Sequence, residues 1–299
     1  MQLITEAQVA QVLDPDTARR ALHQAFRQHG RGQAQVLARH RATSTQGGAA
    51  LAISAMGAIL EADGDLPAVL GTKVYSSHNG RYHFLVSLFS AATGAPLATL
   101  KANEFTRLRT AAATAVATDL LALPDARTLA IFGAGIQARA HAEALMRVRR
   151  FEHVWVCARS GGDAFAAALG AQVVDAATAA AGADVIVTAT RSPTPLFDGG
   201  LVKPGAFVAA VGSSTRAARE LDNALLARAA LIAVEWRTAA ELEAGDLVDS
   251  APEHWAELGE LLVTPRPRGP RDIVVYKSVG IGLEDVALAR VVAHRLGVC

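Results

Sequence analysis

The stretch Leu129-Ala130-Ile131-Phe132-Gly133-Ala134-Gly135-Ile136-Gln137-Ala138-Arg139-Ala140-His141 decides the fold. An apolar run breaks into Gly-x-Gly-x-x-Ala and continues in helix-forming residues. Gly133 permits a tight turn at a strand end, Gly135 lets backbone approach a pyrophosphate, and Ala138 keeps the following helix close to its strand. The phosphates then meet unpaired N–H groups at the helix N-terminus. Glycines also end strands in alanine-rich chains, so the motif needs its strand, loop and helix order, which is present. It reads as a dinucleotide site built from Gly133, Gly135, Ile136, Gln137 and Ala138.

Outward from this loop, strand and helix patterns alternate after Pro124, with strands expected at 128–132, 153–158, 171–174, 184–188, 206–211 and 230–234. Six strands in this order predict a doubly wound parallel Rossmann sheet covered on both faces. A site selective for NAD places Asp or Glu about 20 residues past the motif, on the ribose 2′-hydroxyl. Here Ala158, Arg159 and Ser160 stand after the second strand. A guanidinium and a hydroxyl suit a 2′-phosphate, which favours NADPH, with NADH possible. The plain alternative is a solvated arginine after a strand.

Before Pro124 the pattern differs. Apolar positions at helical spacing predict helix over 5–30, with Thr5 or Asp14 as N-caps. Strands follow at 50–55, 69–75, 82–90 and 96–101, with a hairpin turn at 92–95, and then a long helix over 106–123. The fold class is therefore α/β, with a second, α+β antiparallel domain that supplies substrate chemistry. The final segment, 274–298, returns to that domain through the glycine-rich turn Tyr276-Lys277-Ser278-Val279-Gly280-Ile281-Gly282 and a helix over 283–296. The expected division is 1–123 with 281–299, and 124–280. Val279 and Gly280 are expected at the cofactor.

Composition agrees. The chain has 299 residues, 51% of them hydrophobic and 19% charged, with net charge +1, which gives no electrostatic case for nucleic acid. Cys157 and Cys299 are the two cysteines, too few for a disulfide framework or a cysteine-based metal site. No apolar run reaches membrane-spanning length and no leader pattern opens the chain. A cytoplasmic protein with no metal and no membrane partner is expected.

The polar residues of the first domain are cationic. Lys73 ends a strand, Arg109 opens the long helix beside Thr110, and Arg39 and Arg41 lie in a basic run. Cations converging on one site select an anion, and a guanidinium fixes a carboxylate through two parallel hydrogen bonds. Taken singly, each is also an ordinary surface residue. Thr110 either reaches a cofactor phosphate or caps the helix. Glu104 and Asp285 either orient Lys73 or the cofactor amide, or cap helices. His78, His83 and His141 fall in no metal or triad spacing.

Ordered pieces along the chain carry a family resemblance: Gly71-Thr72-Lys73-Val74, Thr106-Arg107-Leu108-Arg109-Thr110-Ala111-Ala112-Ala113-Thr114, the Gly133 loop, Arg219-Glu220-Leu221-Asp222, Glu257-Leu258-Gly259-Glu260-Leu261 and Ser278-Val279-Gly280-Ile281-Gly282-Leu283-Glu284-Asp285. With these the chain resembles the ornithine cyclodeaminase and mu-crystallin family. The resemblance implies that Lys73 and Arg109 bind a substrate carboxylate, with Arg41 or Arg39 as the third cation. The spacing from Arg41 to Lys73 departs from the cyclodeaminase pattern, because 60–65 reads as a longer turn. It also implies a homodimer built through the antiparallel domain, and NAD or NADP on the parallel one.

One departure bears on activity. Where ornithine cyclodeaminases carry Gly-x-Asp after the fifth strand, this chain reads Val211-Gly212-Ser213-Ser214. That acid serves proton transfer and holds the amino group, and a serine hydroxyl is no comparable base. Relatives with Ser here resemble cyclic ketimine reductases. The expectation is an NADPH-dependent (or NADH-dependent) reductase of Δ1-pyrroline-2-carboxylate or Δ1-piperideine-2-carboxylate, giving L-proline or L-pipecolate, with Lys73 and Arg109 placing the carboxylate and Ser214 beside the ring nitrogen. The alternatives are an ornithine cyclodeaminase, an alanine-type amino acid dehydrogenase, and a nucleotide-binding crystallin-like protein without turnover.

Overall fold

The computed structural model describes residues 1–45 and 48–299. The chain opens with β1 (Gln2–Ile4), α1 (Glu6–Val12) and α2 (Pro15–Gly30). The helical stretch over 5–30 is thus two helices. Thr5 caps the first by accepting from the Gln8 N–H. Asp14 caps the second, with Pro15 in its first turn, where the missing N–H costs nothing.

Next come β2 (Ala34–Ser44), β3 (Leu51–Leu60), β4 (Val69–His78), β5 (Arg81–Ser90), β6 (Pro96–Lys101) and α3 (Asn103–Leu121). The sheet order is β1-β6-β5-β4-β3-β2, antiparallel apart from the parallel β1–β6 pair. Strand β2, which was not among the expected strands, carries the basic run of Arg39 and Arg41. Most of its side chains are exposed and its register shifts between Leu37 and His40, so no apolar alternation marks it. Strand β3 likewise runs on past Ala55 to Leu60. Helix α3 starts three residues earlier than expected, because the Glu6 carboxylate accepts the N–H groups of Asn103 and Glu104. Arg109 therefore lies in the second turn and Thr110 is inside the helix, so Thr110 is not a cap.

The remaining elements are β7 (Thr128–Phe132), α4 (Ile136–Val148), β8 (His153–Cys157), α5 (Gly162–Leu169), β9 (Gln172–Val173), α6 (Ala176–Gly182), β10 (Val185–Thr188), β11 (Phe207–Ala210), α7 (Asn223–Arg228), β12 (Ala229–Val234), α8 (Arg237–Glu243), β13 (Trp255–Glu257), α9 (Leu258–Val263), β14 (Ile273–Lys277) and α10 (Gly282–Arg295). The second sheet has eight strands, in the order β13-β12-β14-β11-β10-β7-β8-β9, all parallel. Six had been expected. Strand β14 lies between β11 and β12 with all five side chains buried, so 273–277 completes this sheet and only the helix after it joins the other unit. A continuous buried run of this kind is what a central parallel strand requires.

Two compact units result: Met1–Arg109 with Ile281–Cys299, and Thr110–Gly280. The first division falls inside α3 rather than at Pro124. Among the described residues no helix is long and apolar enough to cross a membrane.

Helix α10 packs on the six-stranded sheet through glycines. A Cβ on Gly282 would fall on the backbone N and O of Gly57, and one on Gly71 would lie 2.8 Å from Val286 Cγ2. Arg290 tethers the same helix by donating to the Glu61 carbonyl at 2.8 Å and to Gln28 Oε1 at 3.0 Å. Backbone cannot yield as a flexible side chain can. Gly282→Ala is accordingly expected to destabilise the protein by about 1–3 kcal/mol, the usual cost of overpacking, as read by chemical denaturation.

Candidate active site

Unit 1 gathers the cations on one sheet face. Pairing sets Met56 against Lys73 and Lys73 against Val86, while the next row on that face runs Arg41, Ser54, Tyr75, Phe84. Arg41 donates to Ser54 Oγ at 3.2 Å and to Tyr75 Oη at 3.3 Å. Arg39 reaches Met56 Sδ at 3.4 Å. Both arginines flank the lysine, Arg39 half-buried and Arg41 more exposed.

Helix α10 delivers two carboxylates to this face. Lys73 Nζ lies 2.9 Å from Asp285 Oδ1, with both side chains essentially inaccessible to solvent. Arg109 Nη1 lies 3.0 Å from Glu284 Oε2, and its Nε is 3.8 Å from the same Asp285 oxygen. Asp285 Oδ2 accepts no hydrogen bond among the described residues. Of the two readings of Asp285, the structure selects the partner of Lys73. Glu104 does neither job: it pairs with Arg107 on its own helix, one turn away.

Burial pushes the Lys73 ammonium down to about 8; Asp285 opposes the shift, while Arg109 and Arg39 add to it. The lysine also lies over the Phe84 ring, 4.5 Å from its centroid. A second anion arriving here would favour the charged lysine.

Unit 2 holds the glycine loop. Gly133 has φ +111°, a region closed to other residues without strain, and a Cβ there would lie 2.7 Å from the Ala189 carbonyl oxygen after β10. At Gly135 an added Cβ would meet nothing within 4 Å, so backbone is open to a ligand. Gly135 caps α4 without a side-chain hydrogen bond, and the first turn of α4 has no acidic residue, with Ile136 and Gln137 leading it. Ala138 is fully buried. The donor set therefore fits a pyrophosphate. Arg159 and Ser160 are exposed after β8, and a Cβ on Gly161 beside them would lie 3.8 Å from the Ala134 Cβ in the loop.

Buried carboxylates brace the strand ends around the loop. Glu220 accepts from Thr188 Oγ1, the Thr190 N–H and hydroxyl, and the Gly212 N–H. Glu235 accepts from Ser278 Oγ at 2.6 Å and from the N–H groups of Val279 and Gly280 at 2.9 and 2.7 Å. The N–H groups of that turn are thus engaged by protein, and a cofactor would meet its carbonyls and side chains. Lys277 pairs with Asp246 at 2.8 Å and donates to the Ser213 carbonyl at 2.6 Å. Ser213 turns its hydroxyl to the Ala218 carbonyl, whereas Ser214 is half-buried.

His141 is packing: its Nε2 lies 3.0 Å from Thr114 Oγ1 and its Nδ1 2.8 Å from the Gln137 carbonyl, joining α3 to α4. His78 and His83 are exposed on the first sheet. Glu284 and Glu235 were missed as functional positions. The signal for the first was available, since Glu284 and Asp285 are the only acids of this helix and are fully buried in its first turn.

The model of the ornithine cyclodeaminase/mu-crystallin family matches residues 1–297. Over 212 residues, 69% of this chain and 67% of that protein, the sequence is 39% identical to the ketimine reductase mu-crystallin of Mus musculus. The crystal structure of a probable ornithine cyclodeaminase from Bordetella pertussis Tohama I superposes with a TM-score of 0.91 at 41% identity, covering 99% of this chain and 97% of that one. The Δ1-pyrroline-2-carboxylate reductase of Thermococcus litoralis, in complex with NADH and L-proline, gives 0.89 at 27% identity, covering 99% and 98%. This chain belongs to the ornithine cyclodeaminase/mu-crystallin family.

Proposed function

We propose that this chain reduces small cyclic ketimines that carry an adjacent carboxylate, Δ1-pyrroline-2-carboxylate or Δ1-piperideine-2-carboxylate, to L-proline or L-pipecolate. The observation that carries the reading is the cluster of Lys73, Arg109, Arg39 and Arg41 in unit 1, in which Arg109 and Arg39 repel the Lys73 ammonium. A carboxylate relieves that repulsion. The names of the mouse relative and of the Thermococcus complex support the same chemistry.

Lys73, Arg109 and Arg41 hold the carboxylate and so orient the ring, with Arg39 behind them; orientation is where most of the rate comes from in such a step. When bound, a reduced nicotinamide supplies hydride to the imine carbon, while a proton ends on the ring nitrogen. Ser214 offers that nitrogen a hydroxyl, with no carboxylate at its position to act as base. Gly133, Gly135, Ile136, Gln137 and Ala138 would hold the pyrophosphate, with Thr110, Val279 and Gly280 as further residues that would hold the cofactor. Arg159 and Ser160 receive a 2′-phosphate, which makes NADPH the preferred donor. The acting form is a cytoplasmic homodimer, with Cys157 and Cys299 as thiols. Its contact is the sheet face opposite Lys73, where Ile53, Ile59, Val74 and Leu85 are exposed.

Mixing the purified protein with each imine and following loss of nicotinamide absorbance tests the reading; ammonia release from ornithine without added nicotinamide, and no imine reduction, would overturn it. Arg109→Ala is expected to lower kcat/KM for the imine by about 10²-fold or more while the Kd for NADPH stays within about twofold. Arg159→Glu should raise KM for NADPH by about tenfold relative to KM for NADH, through charge repulsion.

The lysine sets a pH signature. Its cation is present below about 8 and lost above it, so kcat/KM for the anionic imine should fall as pH rises through that value, and Lys73→Arg should move the fall upward. Stability has the opposite sign. The native state holds this proton less tightly than the unfolded chain, so denaturation midpoints should rise with pH between about 8 and the ordinary lysine range.

A further inference from the structure

Resting on the reading just given, we propose that Tyr75, Phe84 and Tyr82 form an aromatic shelf beside the cations, and that the preferred substrate is a cyclic ketimine carboxylate fused to an aromatic ring. The Tyr75 and Phe84 rings lie 5.2 Å apart between centroids, and Phe84 and Tyr82 lie 5.8 Å apart and nearly parallel, at 7°. Strand register explains the row: Tyr75 pairs with Phe84, and Tyr82 stands two residues further along the same face of β5. Helix α10 reaches this face at Gly71 and Lys73. The shelf begins one row beyond, where Arg41 is exposed and Tyr82 is 45% exposed.

A structural role accounts for Tyr75 and Phe84, which are largely covered. It does not account for a half-exposed tyrosine stacked flat on Phe84, though tilted 51° from Tyr75, at the edge of a cationic site. Aromatic faces also attract cations. Here Lys73 already lies over Phe84 and Arg41 donates to Tyr75, so a second ammonium, such as the side chain of a diamino acid, would be repelled more than a ring face attracts it. The guest that fits is anionic at one end and flat and apolar at the other. Offset stacking then fixes the plane of the imine ring relative to the carboxylate.

The test uses 3,4-dihydroisoquinoline-1-carboxylate, whose ketimine carbon carries the carboxylate beside a fused benzene ring, against Δ1-pyrroline-2-carboxylate. The full-length protein is expected to show kcat/KM at least about tenfold higher for the fused substrate. Tyr82→Ala should collapse that ratio by about tenfold, mainly through KM, and Tyr82→Phe should restore it. A ratio below one in the unmodified protein, or a ratio that Tyr82→Ala leaves unmoved, overturns the shelf while pyrroline reduction keeps the proposed activity standing. Failure of both imines removes the activity and the shelf together.

Discussion

The ion pair between Lys73 and Asp285 is the constraint on which unit 1 depends. The two residues are 212 positions apart, and both are inaccessible to solvent. Dehydrating two charges costs several kcal/mol per ion, which their attraction offsets only with good geometry and further hydrogen bonds. Arg109 and Glu284 supply part of that surrounding. The glycines at 57, 71 and 282 supply the rest by letting α10 sit close enough for a short acid to reach a lysine on the sheet. Apolar residues of similar volume would hold the same helix at no electrostatic cost. Stability alone therefore does not account for the arrangement, whereas the charge it presents is what the proposed function requires.

Unit 2 solves a different problem. Its loops at the carboxyl ends of β10, β11 and β14 contain many backbone N–H groups that the strands leave unpaired, and each must find an acceptor. Glu220 and Glu235 collect two each, and Asp246 takes the N–H groups of Glu220 and Leu221. The effect is to fix loops before any ligand arrives. A site whose supporting shell is locked in this way loses little entropy on binding.

The glycine loop was legible in sequence because its information is local: a strand, a turn that only glycine permits, and a helix lie within thirteen consecutive residues. Lys73 and Arg109 were legible as residues, and Asp285 as one of two possibilities. Their partnership was not, since no local pattern pairs Arg109 with Glu284 across 175 positions. Strand β2 escaped notice for a physical reason: an exposed edge strand with a register shift has neither alternation nor a buried run to display. Strand β14 had the buried run, but the helix that follows it belongs to the other unit, and the segment was read as one piece. The start of α3 was hidden because its cap is a glutamate from α1, nearly a hundred residues earlier.

The serines at 213 and 214 stand where the family resemblance places the Gly-x-Asp of cyclodeaminases, and the structure gives them different surroundings. Ser213 is consumed structurally, with its hydroxyl on the Ala218 carbonyl and its own carbonyl on Lys277. Ser214 beside it is half-buried. The resemblance implies a carboxylate there for proton transfer in the cyclodeaminases. A hydroxyl can donate or accept a hydrogen bond but does not ionise near neutrality. Reduction of an imine asks for little more, because a protonated carbon–nitrogen double bond is already electrophilic and needs placement above all. On the proposed reading the cations of unit 1 place the carboxylate, and the hydroxyl of Ser214 is all that the ring nitrogen then requires.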